Sequence, residues 1–325
     1  MSTRISSGVL RVGWKFPYIR AFSSRHAVIL MYHGVSKETD PHSISIAVFE
    51  QHVKCLKENF EIIHPDRLFE RRKAHEKIRV LLTFDDGFRN HFDVLIPELI
   101  KQHVPALFFV SFRHSQDGKY LWFNYLRAFK RHFASHMFQF RGESFDMSLS
   151  HRDATVSRLT ELLLNLRPHP SAMYEAIENE FPALEEFVPA DRLADSYSGM
   201  TPTQVAELAS IPLFDIGAHT VNHPFLSKCD PAESFRELRE SKLWLEQVTG
   251  RPCKAIAYPS GNYDARILKQ CDDLGFSRGF SVEPVLNAIP HFELPRVGIY
   301  NESQDILGFK VQWGNLIRSL KIKIG

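Results

Sequence analysis

The chain is poor in cysteine. Cys55, Cys229, Cys253 and Cys271 are scattered through 325 residues with no close pair, which excludes a cysteine-built zinc module and a dense disulfide framework. Buried free thiols, and with them a reducing compartment, are the expectation. No stretch approaches the roughly twenty apolar residues of a membrane span. The basic start carries Arg4, Arg11, Lys15, Arg20 and Arg25 with no acid before Glu38, and Arg11, Lys15 and Pro17 interrupt any apolar centre of a secretion signal. Charge of one sign is also missing. A net charge of +2 gives no global affinity for nucleic acid. These absences predict a cytoplasmic protein without a nucleic-acid partner.

What is present is an ordinary globular composition, 44% hydrophobic and 24% charged, long enough for one large barrel or two smaller domains. Strand-like and helix-like segments alternate, as a parallel α/β architecture requires. Ile78 to Phe84, Val104 to Val110, Leu213 to Ile216 and Lys254 to Ala257 read as strands. Phe49, Val53, Leu56 and Phe60 mark one face of a helix, and Phe92 to Lys101 reads as the helix after the aspartate pair. Helix starts are expected at Thr201, Asp230 and Asp264, the first two followed by proline.

Two motifs carry chemistry. Leu81-Leu82-Thr83-Phe84 runs into Asp85-Asp86-Gly87, and His219-Thr220-Val221-Asn222-His223 places two imidazoles four positions apart. One oxygen and two nitrogen ligands suit zinc or a similar first-row ion, and three protein ligands leave a position open for water. The second carboxylate is then free to act as a base. Both motifs follow strand-like segments, whose ends are where α/β sheets and barrels place their chemistry. Taken singly, paired aspartates are often a helix cap with a solvated first-turn acid, and histidines at this spacing often lie on a surface helix.

At these residues the chain resembles the polysaccharide deacetylase family, the NodB-homology or carbohydrate esterase 4 group, through Thr-Phe-Asp-Asp-Gly at 83–87 and His-Thr-x-x-His at 219–223. The resemblance runs from about Ala27 to Val297, apart from a central insertion. It implies a distorted parallel (β/α) barrel in which Asp85 is the catalytic base and Asp86, His219 and His223 hold a divalent metal, zinc first, with cobalt or nickel as alternatives. Tyr32-His33-Gly34-Val35, after the apolar run Ala27 to Met31, is similar to a motif of the family's exopolysaccharide-making members, which makes His33 the candidate general acid. Ala257-Tyr258-Pro259-Ser260-Gly261 is similar to the family's proline-glycine loop, and Tyr258, Pro259, Ser260 and Gly261 are candidates for substrate or oxyanion contact. Many members begin that loop with an arginine that orients the catalytic aspartate. Here Ala257 stands in its place, and Arg296 in Leu294-Pro295-Arg296-Val297 is the candidate replacement, holding Asp85 ionised.

The domain reading is a basic segment at 1–25, a barrel at 26–300 interrupted by a mostly helical insertion at 111–200, and a basic amphipathic tail at 301–325. The insertion is expected from the loss of alternation between Ser111 and Gly199, with Ala154 to Leu166 and Ser171 to Phe181 suiting helices and Met137 to Phe140 a strand. It either covers the barrel mouth or stands apart from it. The tail has no acid after Asp305 and either packs on its own barrel or lies on an anionic membrane surface, where a lipid-linked substrate would give it a purpose. Aromatic residues reach 12%, and Trp122, Phe123, Tyr125 and Tyr263 are candidates for stacking on sugar rings. The expected reaction is hydrolysis of the N-acetyl group of an amino sugar in a surface polysaccharide, an oligosaccharide or a lipid-linked glycan. Deformylation of a lipid-linked sugar, or glycan binding without catalysis on the same fold, are the alternatives.

Overall fold

The computed structural model describes residues 27–37, 43–73, 75–116, 118, 120–282, 290–300 and 303–319, with side chains of the last helix described up to 312. The basic N-terminal segment and the end of the C-terminal tail lie outside the described residues. The strands, in chain order, are Val28–Tyr32 (β1), Gly34–Ser36 (β2), Ser43–Ser45 (β3), Glu61–Ile62 (β4), Arg79–Phe84 (β5) and Ala106–Val110 (β6). Met137–Phe140 (β7), Glu143–Asp146 (β8), Phe214–Ala218 (β9), Ala255–Ala257 (β10), Arg278–Ser281 (β11) and Leu294–Gly298 (β12) follow.

The main sheet runs β1-β12-β11-β10-β9-β6-β5, all parallel, and β1 also pairs with β5, so seven strands close into a barrel with β4 added beside β5. This is the parallel (β/α) barrel expected from the sequence. Closure sorts side chains by the two-residue period of a strand. Ile29, Leu81, Leu107, Phe109, Ala255, Ala257 and Phe280 cluster inside. Their neighbours Val28, Leu30, Val80, Leu82, Phe108 and Ile256 join the larger core between barrel and helices. Gly217 has the inward parity of β9, and a Cβ there would come 2.6 Å from the Phe109 ring and 2.9 Å from the Ala255 carbonyl oxygen. Only a residue without a side chain lets β9 pass at that distance.

The helices follow local chemistry. Ser45 Oγ caps the helix Ile46–Asn59, whose Phe49, Val53 and Leu56 are buried. Thr201 and Gln204 form a reciprocal capping box, and the Asp264 carboxylate accepts from Ile267 N at 3.0 Å. Asp230 occupies the N-cap of Pro231–Thr249 but makes no capping bond with its side chain. Its carboxylate lies instead 3.4 Å from His169 of the insertion. The expected helix at 92–101 begins as a π-turn, His91–Leu95, and becomes α-helical from Ile96 to Lys101. Pro97 lacks the N–H that a regular ladder would need there.

Residues 111–200 build a second apolar cluster around Tyr125, Phe129, Phe140, Leu159, Met173 and Ile177. Its helices include Trp122–His132, Arg152–Leu164 and Pro170–Glu180. The expected strand at 137–140 has an antiparallel partner, β8, that the sequence reading lacked. The signal was Arg141-Gly142, with φ of 51° and 78°, the two-residue loop of a tight hairpin. Leu307 and Val311 of the helix Gln304–Ser319 are buried in the barrel's outer core, so this first part of the tail packs on its own barrel. No helix among the described residues is long and apolar enough to cross a membrane.

Candidate active site

The chemistry sits at the C-terminal ends of the strands, on residues of inward parity. Asp85 continues the inward series Leu81 and Thr83 on β5, and His33 continues Ile29 and Met31 on β1. His219 continues Gly217 on β9, and Arg296 follows Leu294 on β12. Asp86 should point the other way, being next to Asp85 in an extended chain. A left-handed turn, φ 77° at Asp86 and 80° at Gly87, brings it round to the same mouth. Gly87 is needed there, since a Cβ would also meet Val110 Cγ1 at 2.9 Å.

Asp86 Oδ1 lies 3.4 Å from Nε2 of His219 and 3.5 Å from Nε2 of His223, and all three residues are buried. Their ligand atoms fall within 4.8 Å of one another. The donor set fits a cation for a reason beyond residue type. His219 Nδ1 donates to the Ala257 carbonyl oxygen at 2.9 Å, which fixes the ring with its Nε2 turned to Asp86. Burial, with help from His219, pushes the His223 imidazole down to about 3, so it is neutral. For His219 the lowering by burial is outweighed by Asp86 and Asp85, which raise it above its ordinary value, so that a cation at this place would displace its Nε2 proton. Both Asp86 carboxylate oxygens are buried without a hydrogen-bond partner. A buried carboxylate without a hydrogen-bond partner, beside two imidazole nitrogens turned to it, is a donor set that a cation would satisfy.

Asp85 is held differently. Arg296 donates to it through both arms of its guanidinium, Nη1 to Oδ1 at 2.6 Å and Nη2 to Oδ2 at 2.8 Å, with each side chain almost fully buried. Burial alone would raise the carboxyl's pKa. The Arg296 charge, reinforced by His219, reverses this and holds it below the usual carboxylate range. Arg296 thus occupies, from β12, the partner position expected for it where the loop after β10 offers only Ala257.

His33 lines the same cavity, of about 340 Å³, as Asp85, Asp86, His219, His223 and Arg296. Its ring lies parallel to that of Tyr300, with centroids 6.3 Å apart. Its carbonyl oxygen accepts from His91 Nε2 at 2.9 Å, and the next turn of chain is fixed by Asn90 Oδ1, which accepts from Val35 N at 3.3 Å. Burial pushes His91 itself down to about 4.

The loop after β10 is only partly at the site. Tyr258, Ser260 and Gly261 line the cavity, whereas Pro259 is buried and is not among the lining residues. The Tyr258 N–H donates to Phe280 O at 3.1 Å and its hydroxyl to Phe292 O at 3.0 Å, so neither is available to a substrate. Of the candidate stacking aromatics, Trp122 and Phe123 stand on the cavity wall. Tyr125 and Tyr263 are instead buried, with their hydroxyls donating to Pro182 O and to Glu293. The wall also includes Met31, Arg127, Val282 and Tyr300, which sequence reasoning missed. Tyr300, 58% exposed and four residues past Arg296, was the most accessible signal. Because Trp122, Phe123 and Arg127 come from the insertion, the covering alternative for that segment is the one observed.

The mouth of a parallel barrel thus carries an Asp-His-His cluster beside a separately clamped carboxylate. The chain belongs to the polysaccharide deacetylase family, whose profile matches residues 72–279. It is 22% identical over 261 residues to YxkH of Bacillus subtilis strain 168, covering 79% of this chain but only 64% of the length of that relative. Among solved structures it is similar to IcaB from Ammonifex degensii, with a TM-score of 0.58 at 17% identity, covering 89% of this chain and 98% of the other. The Streptococcus pyogenes deacetylase PplD, solved in complex with acetate, gives a TM-score of 0.55 at 19% identity, covering 88% and 98%. At these identities the structural likeness concerns the fold.

Proposed function

We propose that the chain is a metal-dependent hydrolase that removes the N-acetyl group from an amino sugar of a glycan. The observation that carries this reading is the division of labour between two adjacent carboxylates: Asp86 faces the Nε2 atoms of two imidazoles, and Asp85 is locked to Arg296. Asp86, His219 and His223 would hold the ion, zinc first, with cobalt or nickel as alternatives. A divalent cation supplies Lewis acidity and a nucleophilic water at neutral pH.

The chain's own groups do the rest. Asp85, kept ionised by Arg296, accepts the proton of the attacking water at its carboxylate. Because the Tyr258 N–H is committed to Phe280 O and the Gly261 N–H to Tyr258 O, the oxyanion donor would be the Ser260 N–H or one of the Asp86-Gly87-Phe88 turn. An amide nitrogen leaves poorly until protonated, and His33 on the same cavity wall donates that proton. The products are acetate and a free amine. Trp122, Phe123 and Tyr300 provide aromatic faces for the sugar. The similar fold of a deacetylase solved with acetate supports the acetyl reading. Four buried free thiols support a reducing, cytoplasmic setting.

The test is incubation of the metal-loaded protein with a panel of N-acylated oligosaccharides and lipid-linked sugars, scored by mass spectrometry. Loss of an acetyl group by wild type and not by Asp85→Asn is the expected result, and loss of formyl alone would redirect the assignment to a deformylase. Tight glycan binding with no mass loss in zinc, cobalt or nickel would replace catalysis with recognition.

A further inference from the structure

The loop carrying both imidazoles is an unusual piece of backbone. Thr220 and His223 have φ of 66° and 50°, a region that costs a side-chain-bearing residue free energy unless its surroundings enforce it. The enforcement is visible bond by bond. The carbonyl oxygens of Thr220 and Val221 accept from Phe112 N and Arg113 N at 3.0 and 3.1 Å, and that of His219 accepts from Ser111 Oγ at 3.1 Å. The remaining two are held by side chains: Asn222 O by the Tyr174 hydroxyl at 3.0 Å, and His223 O by Trp122 Nε1 at 3.1 Å. These five partners come from the 111–200 segment rather than from the barrel, and within the loop itself the Thr220 hydroxyl adds a bond to His219 O at 2.6 Å. From the other side, Glu237, fully buried, accepts from Val221 N and Asn222 N at 2.9 and 2.8 Å and from Asn222 Nδ2 at 2.6 Å.

We propose that Tyr174 is a positioning residue of the metal centre, so that the insertion completes the ion site as well as walling the cavity. The proposal rests on the metal reading given above. Tyr174 is 1% exposed and does not line the cavity. Its hydroxyl joins two parts of the site: it donates to Asn222 O, and it accepts from Trp122 N at 3.2 Å. It therefore ties the start of the helix Trp122–His132 to the residue preceding His223. That helix presents Trp122 and Phe123 to the cavity, and the Phe123 ring meets the His223 ring at 4.6 Å. Removing one oxygen atom at Tyr174 should relax the loop without emptying the apolar cluster around it. Outer-shell partners of this kind change metal affinity by 10–100-fold.

The experiment uses the full chain, stripped with a chelator and titrated with zinc against a chromophoric competitor. Tyr174→Phe is expected to weaken the zinc Kd by about tenfold or more, while near-UV circular dichroism of the zinc-free protein stays that of wild type. Tyr125→Phe is the control: its hydroxyl donates to Pro182 O at 2.6 Å within the same cluster and has no bond to the loop, so zinc affinity should not change. If Tyr174→Phe does not fold, Trp122→Phe decides the matter, since it removes the indole N–H that the insertion places on His223 O. Wild-type affinity in Tyr174→Phe, or in Trp122→Phe where that is the variant that folds, would overturn the proposal. Equal losses in Tyr125→Phe and Tyr174→Phe would overturn it too, because general loosening of the insertion would then be the cause. A wild-type protein that takes up no zinc would defeat the metal reading, and the proposal with it.

Discussion

Replacing Arg296 with glutamine isolates the contest that sets the charge of Asp85. In the wild-type protein two guanidinium N–H groups meet the carboxylate at 2.6 and 2.8 Å, with both side chains almost fully buried. Burial pushes the carboxyl up and Arg296 pulls it below its reference value of 3.8. With Arg296 gone, burial is opposed by little more than His219 and His33, and the carboxyl moves upward. Breaking a buried pair in this way costs roughly 3–5 kcal/mol of stability at neutral pH. A base that is protonated for part of the time forfeits some of the roughly 10²–10⁴-fold that proton transfer contributes. The signs follow from linkage. In wild type the depressed carboxyl adds stability above its unfolded value near 3.8, and that stability is lost as pH falls through the lower folded value. If glutamine lets the folded value rise above the unfolded one, the slope inverts, and stability falls as pH rises through the new value. The assay is a pair of profiles against pH, one of kcat/KM and one of urea unfolding. The expected result is an acidic limb of kcat/KM displaced to higher pH, with activity partly recovered in alkali, and Arg296→Lys falling between the two because it keeps charge but loses the fork. A uniform drop in activity with an unmoved limb would refute the reasoning.

Other consequences are equally specific. Gly217→Ala places a methyl 2.6 Å from the Phe109 ring, which is itself fully buried, so β9 must shift; a loss of roughly 1–3 kcal/mol is expected by denaturant titration, with weaker zinc binding because His219 lies two residues on. His91 is neutral in the fold, pushed down to about 4, whereas the unfolded chain takes its proton near 6.5. Stability should therefore decline as pH falls from about 6.5 to 4, by up to about 3 kcal/mol, and His91→Gln should flatten that part of the profile; an unchanged slope would remove His91 as its cause. Phe123→Ala removes a ring that touches His223 and carries the Arg127 guanidinium on its face at 4.9 Å. KM should rise several-fold with a smaller change in kcat, and a pure kcat effect would speak against a sugar platform.

How much of this was legible beforehand follows the range of the interactions. Asp85-Asp86-Gly87 and His219-x-x-x-His223 were readable because metal chemistry demands particular residue types at short spacing, and the strands before them because burial on both faces makes apolar runs. Arg296 was readable only as a vacancy filled: Ala257 left a charge unmatched, and an arginine near another strand end could match it. Long-range facts were not legible. Tyr125 and Tyr263 looked like Phe123 in composition, yet their hydroxyls end on Pro182 O and Glu293 in closed cores. Tyr258 similarly spends its donors on Phe280 and Phe292. Arg127, Val282 and Tyr300 become cavity wall only once the insertion and the ends of β11 and β12 are brought to one mouth. The positive φ at Asp86, Thr220 and His223 had no sequence signal, since none of them is glycine.

The central claim is that Asp86, His219 and His223 close on one ion. Zinc K-edge absorption of protein loaded with a single equivalent tests it most directly. The account predicts a first shell of imidazole nitrogens and carboxylate or water oxygens at about 2.0–2.2 Å, with the imidazole signature diminished in His219→Ala and in His223→Ala. A spectrum without imidazole scattering, or one that neither substitution alters, would contradict it.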